Sequence, residues 1–337
     1  MEVLRVDDAL FELHDAGVNH PERPARLLAA RAGVKSSGVA TRELPAIDAD
    51  RALLAGVHSP ALLDRLDLLR GVRGMIDADT FVSPRSVEAA TRAAGGAATL
   101  ARALVAGEAE RGIALLRPPG HHAESGESMG FCLLNNVAVA ARAARLAGAA
   151  RVAIVDIDVH HGNGTQEIFW RDPDVLYVSL HQWPFYPGTG AVEERGEGDG
   201  EGATVNVPLA AGADDDVYRE AMRRVVQPVL AEFAADVLLV SAGFDAFEGD
   251  PLASMRVTPR GFADMIAALL AGGASKVGLF LEGGYDLAGL EACVAASMRA
   301  LDSDAAIAAP SRRIDAQHLA EIDRAAASAA RAWSALR

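Results

Sequence analysis

The sequence has few cysteines, no excess of basic residues and no long apolar run, and each shortage excludes a class of protein. Two cysteines among 337 residues, Cys132 and Cys293, lie far apart in apolar surroundings. A disulfide framework is therefore excluded, and a reducing compartment is expected. The formal net charge of −14 disfavours direct binding to nucleic acid. No stretch of about 18 uninterrupted apolar residues occurs, so neither a transmembrane helix nor a membrane partner is expected.

The amino terminus also lacks the pattern of a targeting signal. Acidic residues occur within the first ten positions and no apolar core follows them, so no signal peptide is expected and the cytoplasm is the predicted location. The chain contains no internal repeat and no linker, since the glycine-rich stretch 196–202 is too short to separate domains. We therefore expect one domain over residues 1–337, with a terminal helix at about 314–336 packed on it.

Hydrophobic residues make up 50% of the chain and form two kinds of pattern. Alanine-rich stretches with helical spacing alternate with short runs that are apolar throughout, as parallel strands covered on both faces require. This alternation predicts a doubly wound α/β sheet. The predicted helices are Ser86–Ala106, Leu134–Leu146, Asp215–Phe233, Pro259–Leu270, Leu287–Leu301 and Ala316–Leu336, and the predicted strands are Ile113–Leu116, Val152–Val155, Val175–Leu180, Val237–Ser241 and Val277–Leu281.

Polar segments follow four of the predicted strands. They are Arg117–His122, Asp156–Asn163, Ala242–Asp245 and Glu282–Tyr285. Ligands of an open parallel sheet bind outside the carboxyl ends of its strands. We therefore expect these four segments to meet at one edge of the sheet.

Two acids and a histidine in the second segment suggest a metal site. Asp156, Asp158 and His160 alternate along the chain, so an extended backbone turns them to the same side. Carboxylates buried together repel each other unless a cation is present, and Asp245 adds another oxygen ligand. A mixed Asp/His set with an open position fits catalytic zinc. The alternative is that one aspartate caps a helix near Asn163–Phe169, which explains either acid alone but not the whole group.

The adjacent histidines His121 and His122 suggest acid–base chemistry. Asp156 and Asn163 can each orient one imidazole, and the amide partner leaves its histidine freer to act as a base near neutral pH. The hydroxyl of Tyr285 suits a developing oxyanion. A metal, a base and an oxyanion donor together predict hydrolysis of a carbonyl compound.

Four segments resemble the zinc-dependent histone deacetylases, and the resemblance runs from His20 to about residue 301. The segments are Arg117–Ala123, Gly130–Asn136, Asp156–Thr165 and Gly283–Tyr285. The form of the first segment, together with Asn163, is similar to class II enzymes, and Tyr186–Gly190 is similar to bacterial acetoin-utilisation deacetylases. The resemblance implies the arginase–deacetylase fold, with a parallel sheet of about eight strands between helix layers.

The resemblance also implies roles for individual residues. It implies one zinc ion, held by Asp158, His160 and Asp245. It implies that His122 is the base and later the acid. It implies that His121, paired with Asp156, is an electrostatic partner, and that the phenol of Tyr285 binds the oxyanion. It implies a narrow channel for an acylated lysine, formed by Gly130, Phe131 and Tyr186. It implies a structural potassium ion at Asp156, Asp158, His160, Ser179 and Leu180, and a second one near Phe169, Asp172 and Val175.

The predicted reaction is removal of an acetyl or other acyl group from a lysine side chain. Leu252 follows Gly249–Pro251, where the polyamine-selective member of the family carries a glutamate. Leu252 therefore favours acyl-lysine over an acetylpolyamine or another small acylated amine, which remains the alternative.

Two further functions are less consistent with the sequence. A two-manganese ureohydrolase needs an Asp-x-Asp pair around Asp245, but Gly243 and Phe247 occupy the flanking positions. A non-catalytic acyl-lysine binder is expected to have lost Tyr285 or one of the paired histidines, and neither is lost.

Overall fold

An eight-stranded parallel sheet forms the centre of the fold in the computed structural model, which describes residues 2–17, 19–303 and 313–337. The strand order across this sheet is β2-β1-β5-β10-β9-β6-β7-β8, and β3 and β4 form a separate antiparallel pair. In chain order the strands are β1 Val3–Val6, β2 Thr41–Leu44, β3 Gly74–Met75, β4 Phe81–Val82, β5 Arg111–Ala114, β6 Val152–Asp156, β7 Val175–Gln182, β8 Thr204–Leu209, β9 Val237–Ala242 and β10 Val277–Leu281.

The central strands bring the four polar segments together. β5, β10, β9 and β6 are adjacent in the sheet, and all their pairings are parallel. Asp156 at the end of β6 pairs with Ser241 of β9, which in turn pairs with Phe280 of β10. The carboxyl ends of these strands therefore lie at one edge, which is where the sequence places the polar segments.

The helices pack in two sets. α4 packs on α5 and contacts β1, β5 and β10, whereas α1, α10, α9 and α7 pack on one another in that order. α11 lies against β8. The helices are α1 Ala25–Ser37, α2 Arg51–Ala55, α3 Pro60–Leu68, α4 Ser86–Val105, α5 Asn136–Leu146, α6 Asn163–Phe169, α7 Asp215–Ala221, α8 Gln227–Phe233, α9 Pro259–Ala271, α10 Leu287–Leu301 and α11 Ala316–Ala329.

The predicted elements are present, with differences at their ends. The helix predicted at Leu134–Leu146 begins at Asn136, because the side chain of Asn135 accepts a hydrogen bond from the N–H of Ala138 and caps it. The helix predicted at Asp215–Phe233 contains a π-helical turn at Met222–Val226. The helix predicted at Ala316–Leu336 ends at Ala329 and is followed by a short 3₁₀ turn at Ser334–Leu336. The single-domain boundary stays a prediction.

No helix in the described ranges is both long enough and apolar enough to cross a membrane.

Candidate metal centre and active site

Three side chains from two strand ends meet in one cluster. Asp158 and His160 follow β6, and Asp245 follows β9, its neighbour in the sheet. One possible ligand atom from each residue lies within 4.8 Å of the others. Nδ1 of His160 lies 3.1 Å from Oδ1 of Asp158 and 3.2 Å from Oδ2 of Asp245. A single ion can therefore contact all three side chains.

The backbone orients both carboxylates of this cluster. Oδ1 of Asp158 accepts the N–H of His160, and its Oδ2 accepts the N–H of Gly283. Oδ1 of Asp245 accepts the N–H of Val159, but its fully buried Oδ2 accepts no hydrogen bond among the described residues, despite the nearby imidazole. Burying two carboxylates this close together is costly unless positive charge lies beside them, so the cluster has the composition of a cation site.

The electrostatics of the cluster also favour a bound positive charge. Burial and the charge of Asp158 raise the pKa of Asp245 to about 7. Burial lowers the pKa of His160, but Asp158 and Asp245 outweigh it and raise that pKa to about 10. In the absence of a cation, the cluster therefore retains a proton at neutral pH.

The two adjacent histidines have different partners. Nδ1 of His121 lies 3.0 Å from Oδ2 of Asp156, whereas Nδ1 of His122 lies 2.8 Å from Oδ1 of Asn163. The two rings are 4.0 Å apart, and both residues are buried. Oδ2 of Asp156 also accepts the hydroxyl of Tyr177 at 3.2 Å. The structure thus brings together the pairs that the sequence predicted.

These partners shift the two histidine pKa values in opposite directions. Burial lowers the pKa of His121, but Asp158 and Asp156 outweigh it and raise that pKa to about 10. Burial, followed by the charges of His121 and His160, holds the pKa of His122 well below its usual range. A neutral imidazole beside a charged one is an arrangement that acid–base catalysis uses.

The backbone around Tyr285 is held from two sides. The guanidinium of Arg26 donates to the carbonyls of Glu282 and Gly284 and lies 4.8 Å from the centre of the Tyr285 ring. The carboxylate of Asp250 accepts the N–H of Tyr285 at 2.6 Å. The phenol ring therefore has a defined position after β10.

One cavity of about 180 Å³ is lined by His160, by both adjacent histidines and by Tyr285, whereas Asp158 and Asp245 are not among the described residues that line it. The ring of Tyr186 meets that of His122 edge-on at 5.2 Å, and Phe131 meets Tyr285 edge-on at 5.9 Å. A larger surface cavity of about 320 Å³ beside α2 and α3 contains none of the predicted site residues. The lining of the smaller cavity is Asp79, Pro119, His121, His122, Gly130, Phe131, His160, Phe185, Tyr186, Leu252, Gly283 and Tyr285.

An unusual backbone segment brings Phe131 to the cavity. Gly130 and Phe131 have φ values of 58° and 68°, and a Cβ atom at position 130 would lie 2.5 Å from Cδ2 of His122. The N–H of Phe131 donates to Oγ1 of Thr80. A left-handed non-glycine residue costs about 1–3 kcal/mol, so this strain marks a position that the surrounding structure enforces.

The residues implied for potassium lie in two places. Asp156 on β6 pairs with Ser179 on β7, and Leu180 follows Ser179 in the same strand. The hydroxyl of Ser179 forms a hydrogen bond with Nδ1 of His181. The second set surrounds the turn from α6 to β7 and comprises Phe169, Asp172 and Val175. Both potassium sites stay predictions.

Several residues around the site were not predicted. Glu22 is fully buried and accepts hydrogen bonds from Arg117 and Arg26. Phe185 stacks on His160 with ring centres 5.4 Å apart, and Asp79 lines the cavity. The spacing of Glu22, Phe185 and Asp79 in the sequence does not indicate these contacts, because their partners come from distant segments. Arg117 alone belongs to one of the predicted polar segments.

Known proteins resemble this chain in both sequence and structure. Residues 20–301 match the family model described as histone deacetylase domain. Histone deacetylase 15 of Arabidopsis thaliana is 46% identical over 292 residues, which are 84% of this chain and 52% of that protein. A probable deacetylase of Archaeoglobus fulgidus is 38% identical over 284 residues, 82% of this chain and 79% of that protein. The crystal structure of the HDA15 HD domain superposes with a TM-score of 0.92 at 40% identity, covering 99% of this chain and 98% of that one.

The eight-stranded parallel sheet and this structural match place the molecule in the arginase–deacetylase class of α/β proteins. Within that class, the chain belongs to the histone deacetylase family, whose model matches most of its length. The predictions of fold and family are thus confirmed. The chain spans about half the length of the Arabidopsis relative.

Proposed function

We propose that the protein is a zinc-dependent amidohydrolase that removes acetyl or other acyl groups from lysine side chains. One observation carries the proposal: a single cavity is lined by His160 of the Asp–His–Asp cluster, by both paired histidines and by Tyr285. The names of the related proteins agree with this activity.

Asp158, His160 and Asp245 would hold one zinc ion. The support is the donor set itself and the backbone N–H groups that orient both carboxylates toward one another. When bound, zinc would supply Lewis acidity to the substrate carbonyl and to the attacking water.

The paired histidines and Tyr285 would carry out proton transfer and stabilise the negative charge that develops. His122 is neutral because burial and its charged neighbours lower its pKa, so it takes the proton of the attacking water and later delivers it to the leaving amine. His121, paired with Asp156, remains protonated and stabilises negative charge nearby. The hydroxyl of Tyr285 donates to the oxyanion.

The cavity walls suit an acylated lysine. The rings of Phe131 and Tyr186 flank a methylene stem, and the carbonyl of Gly130 accepts the amide N–H of the substrate. Leu252 adds an apolar contact.

Structural potassium ions at the two sets of residues named above belong to the same proposal, and a cytoplasmic location remains our expectation.

Asp79 favours a second candidate substrate, a small acylated amine with a distant positive charge. Asp79 lines the cavity and would offer a carboxylate to such a charge. An acylated polyamine has this chemistry.

Turnover by the zinc-loaded protein tests both candidates. We expect a higher kcat/KM for an acetyl-lysine peptide than for an N-acetylated polyamine, and no turnover of either by the Asp245→Ala variant. A large preference for the polyamine would overturn the substrate assignment. Failure to hydrolyse either compound, or two manganese ions per chain in the purified protein, would overturn the proposed activity.

A further inference from the structure

The amide of Asn163 has a partner at each end. Its Oδ1 lies 2.8 Å from Nδ1 of His122, and its Nδ2 donates to Oε1 of Glu124 at 2.7 Å. The same Nδ2 is 3.3 Å from the sulfur of Met129 and 3.5 Å from the carbonyl of His122, both weaker contacts. All three groups near Nδ2 of Asn163 are hydrogen-bond acceptors, so the amide nitrogen faces them and the amide oxygen faces the imidazole of His122.

We propose that Glu124 is a positioning residue that sets the tautomer of His122 through Asn163, an inference that rests on the proposed role of this histidine. A carboxylate only accepts hydrogen bonds, so Glu124 requires Nδ2 of Asn163 on its side. Oδ1 then requires a proton on Nδ1 of His122. A neutral imidazole has one N–H, so Nε2, which bonds to no described residue, keeps its lone pair for the substrate side.

Reversal of the amide would have the opposite effect. Nδ2 of Asn163 would then face Nδ1 of His122, and the imidazole proton would move to Nε2. The ring would lose the lone pair with which it accepts a proton from water. Glu124 therefore acts on the base without touching the substrate, and its side chain does not line the cavity among the described residues.

The contact from Glu124 is the strongest one to the amide nitrogen. A hydrogen bond to a carboxylate is about twice as strong as one between neutral groups. The backbone of Glu124 is itself fixed, since its N–H donates to the carbonyl of Glu127 and its carbonyl faces Nδ1 of His58 at 3.0 Å. The carboxylate thus reaches Asn163 from a fixed position.

Two substitutions separate the hydrogen bond from the charge. Glu124→Gln keeps an acceptor for Nδ2, whereas Glu124→Leu removes it. In the zinc-loaded enzyme we expect Glu124→Leu to lower kcat on the order of tenfold with little change in KM, and Glu124→Gln to stay near wild type. Glu127→Leu is the matched control, because it removes the same charge from an exposed side chain in the same loop. Equal kcat values for wild type and Glu124→Leu would overturn the proposal.

The tautomer can be observed without turnover. In histidine-¹⁵N-labelled, zinc-loaded protein, two-bond ¹H–¹⁵N correlations distinguish a proton on Nδ1 from one on Nε2. We expect Nδ1–H at His122 in wild type and Glu124→Gln, and a shift toward Nε2–H in Glu124→Leu. An unchanged tautomer in Glu124→Leu would refute the proposal. A shifted tautomer in a protein that deacetylates nothing would support it and reject only the activity.

Introducing a negative charge at position 163 provides a test that does not depend on the leucine variant. In Asn163→Asp, a second carboxylate oxygen would face Glu124 where the amide donor had been. We expect this variant to lose several degrees in Tm, and the added Glu124→Gln change to restore most of the loss by supplying an NH₂ donor. Glu124→Gln alone should not raise Tm. Additive effects of the two substitutions would contradict direct contact between these side chains.

Discussion

Two histidines in the site have different pKa values because the fold gives them different neighbours. His121 and His122 are adjacent in sequence and equally buried, yet carboxylates outweigh the effect of burial on the pKa only at His121. Burial alone would lower both pKa values. The partner groups, not the residue type, therefore decide which histidine carries charge and which accepts a proton.

Replacing Tyr285 by phenylalanine tests the oxyanion role at this scale. The ring would keep its contact with Arg26, and the backbone N–H would keep its bond to Asp250, so only the hydroxyl is lost. We expect kcat to fall on the order of a hundredfold or more. Zinc content and Tm should remain close to those of wild type, as measured by elemental analysis and calorimetry.

A second tyrosine provides the control for this substitution. The hydroxyl of Tyr218 is buried without a hydrogen-bond partner among the described residues, and this side chain does not line the cavity. Tyr218→Phe should therefore leave kcat unchanged. If Tyr285→Phe were as active as Tyr218→Phe, the oxyanion donor would have to be another group.

Residues carried by motifs could be predicted from the sequence, and residues that act from outside the motifs could not. Asp158, His160 and Asp245 were expected to meet because each follows a strand end. Asp250 and Arg26 gave no such signal: Arg26 lies 258 positions from the carbonyl of Gly284 to which it donates. Pairing at such separations depends on the whole fold rather than on local spacing.

At the scale of elements, the close packing of α4 depends on a missing side chain. Gly95 faces the segment that leads into α2, and a Cβ atom there would lie 1.8 Å from the carbonyl oxygen of Ile47 and 2.4 Å from the N atom of Ala49. Those atoms belong to the backbone, so neither can rotate away. The helix can pack this closely only with glycine at that position.

Gly95→Ala is therefore expected to destabilise the protein, although alanine normally favours a helix over glycine by about 1 kcal/mol. We expect the free energy of unfolding to fall by about 1–3 kcal/mol, because the backbone must shift to admit the methyl group. Urea titration measures this change. Gly126→Ala, where a Cβ atom meets nothing within 4 Å, should stay within about 0.5 kcal/mol of wild type. An increase in stability for Gly95→Ala would contradict the packing.

The strands that could be predicted have an apolar run in their sequence, whereas burial alone gave no signal, since β1 and β8 are mostly buried and were not predicted. β6, β9 and β10 are apolar almost throughout, so their sequences indicate strands without further context. β2, at one edge of the sheet, reads Thr-Arg-Glu-Leu and has partly exposed residues, so the sequence did not indicate it. The π-helical turn at Met222–Val226 likewise has no local signal.

At the scale of the whole molecule, we expect a cation bound between the buried carboxylates to contribute to stability. Burial and Asp158 raise the pKa of Asp245, which shows that two carboxylates in this place oppose each other. A ligand that binds only the folded state stabilises it by mass action. We therefore expect chelation to lower Tm by several degrees and added zinc to restore it, as measured by calorimetry at pH 8.

Asp245→Asn should remove most of this stabilisation by zinc. The variant lacks one opposing carboxylate, so in chelator it should be at least as stable as chelated wild-type protein, yet it should gain little from zinc. A normal zinc-dependent rise in its Tm would show that Asp245 is not needed to hold the ion.

Stability should also depend on pH through His58, which joins two parts of the molecule. Nδ1 of His58 donates to the carbonyl of Glu124 and Nε2 accepts the N–H of Asn135, so the neutral ring is satisfied at both ends. Burial lowers its pKa from 6.5 to about 4, against a smaller opposing effect of the bond to Glu124. Between these two values the unfolded chain binds more protons than the folded one. Falling pH therefore removes stability in this range, by about 3 kcal/mol at most.

His58→Gln isolates this contribution. At pH 7.5 the variant should be less stable than wild type, because glutamine bridges the two backbone groups less well. Glutamine does not take up a proton, so the difference in the free energy of unfolding should narrow by about 2 kcal/mol when the pH is lowered to 5. Urea titrations of both proteins at the two pH values measure the change. A difference that stays constant, or widens toward pH 5, would mean that His58 is not held neutral between Glu124 and Asn135.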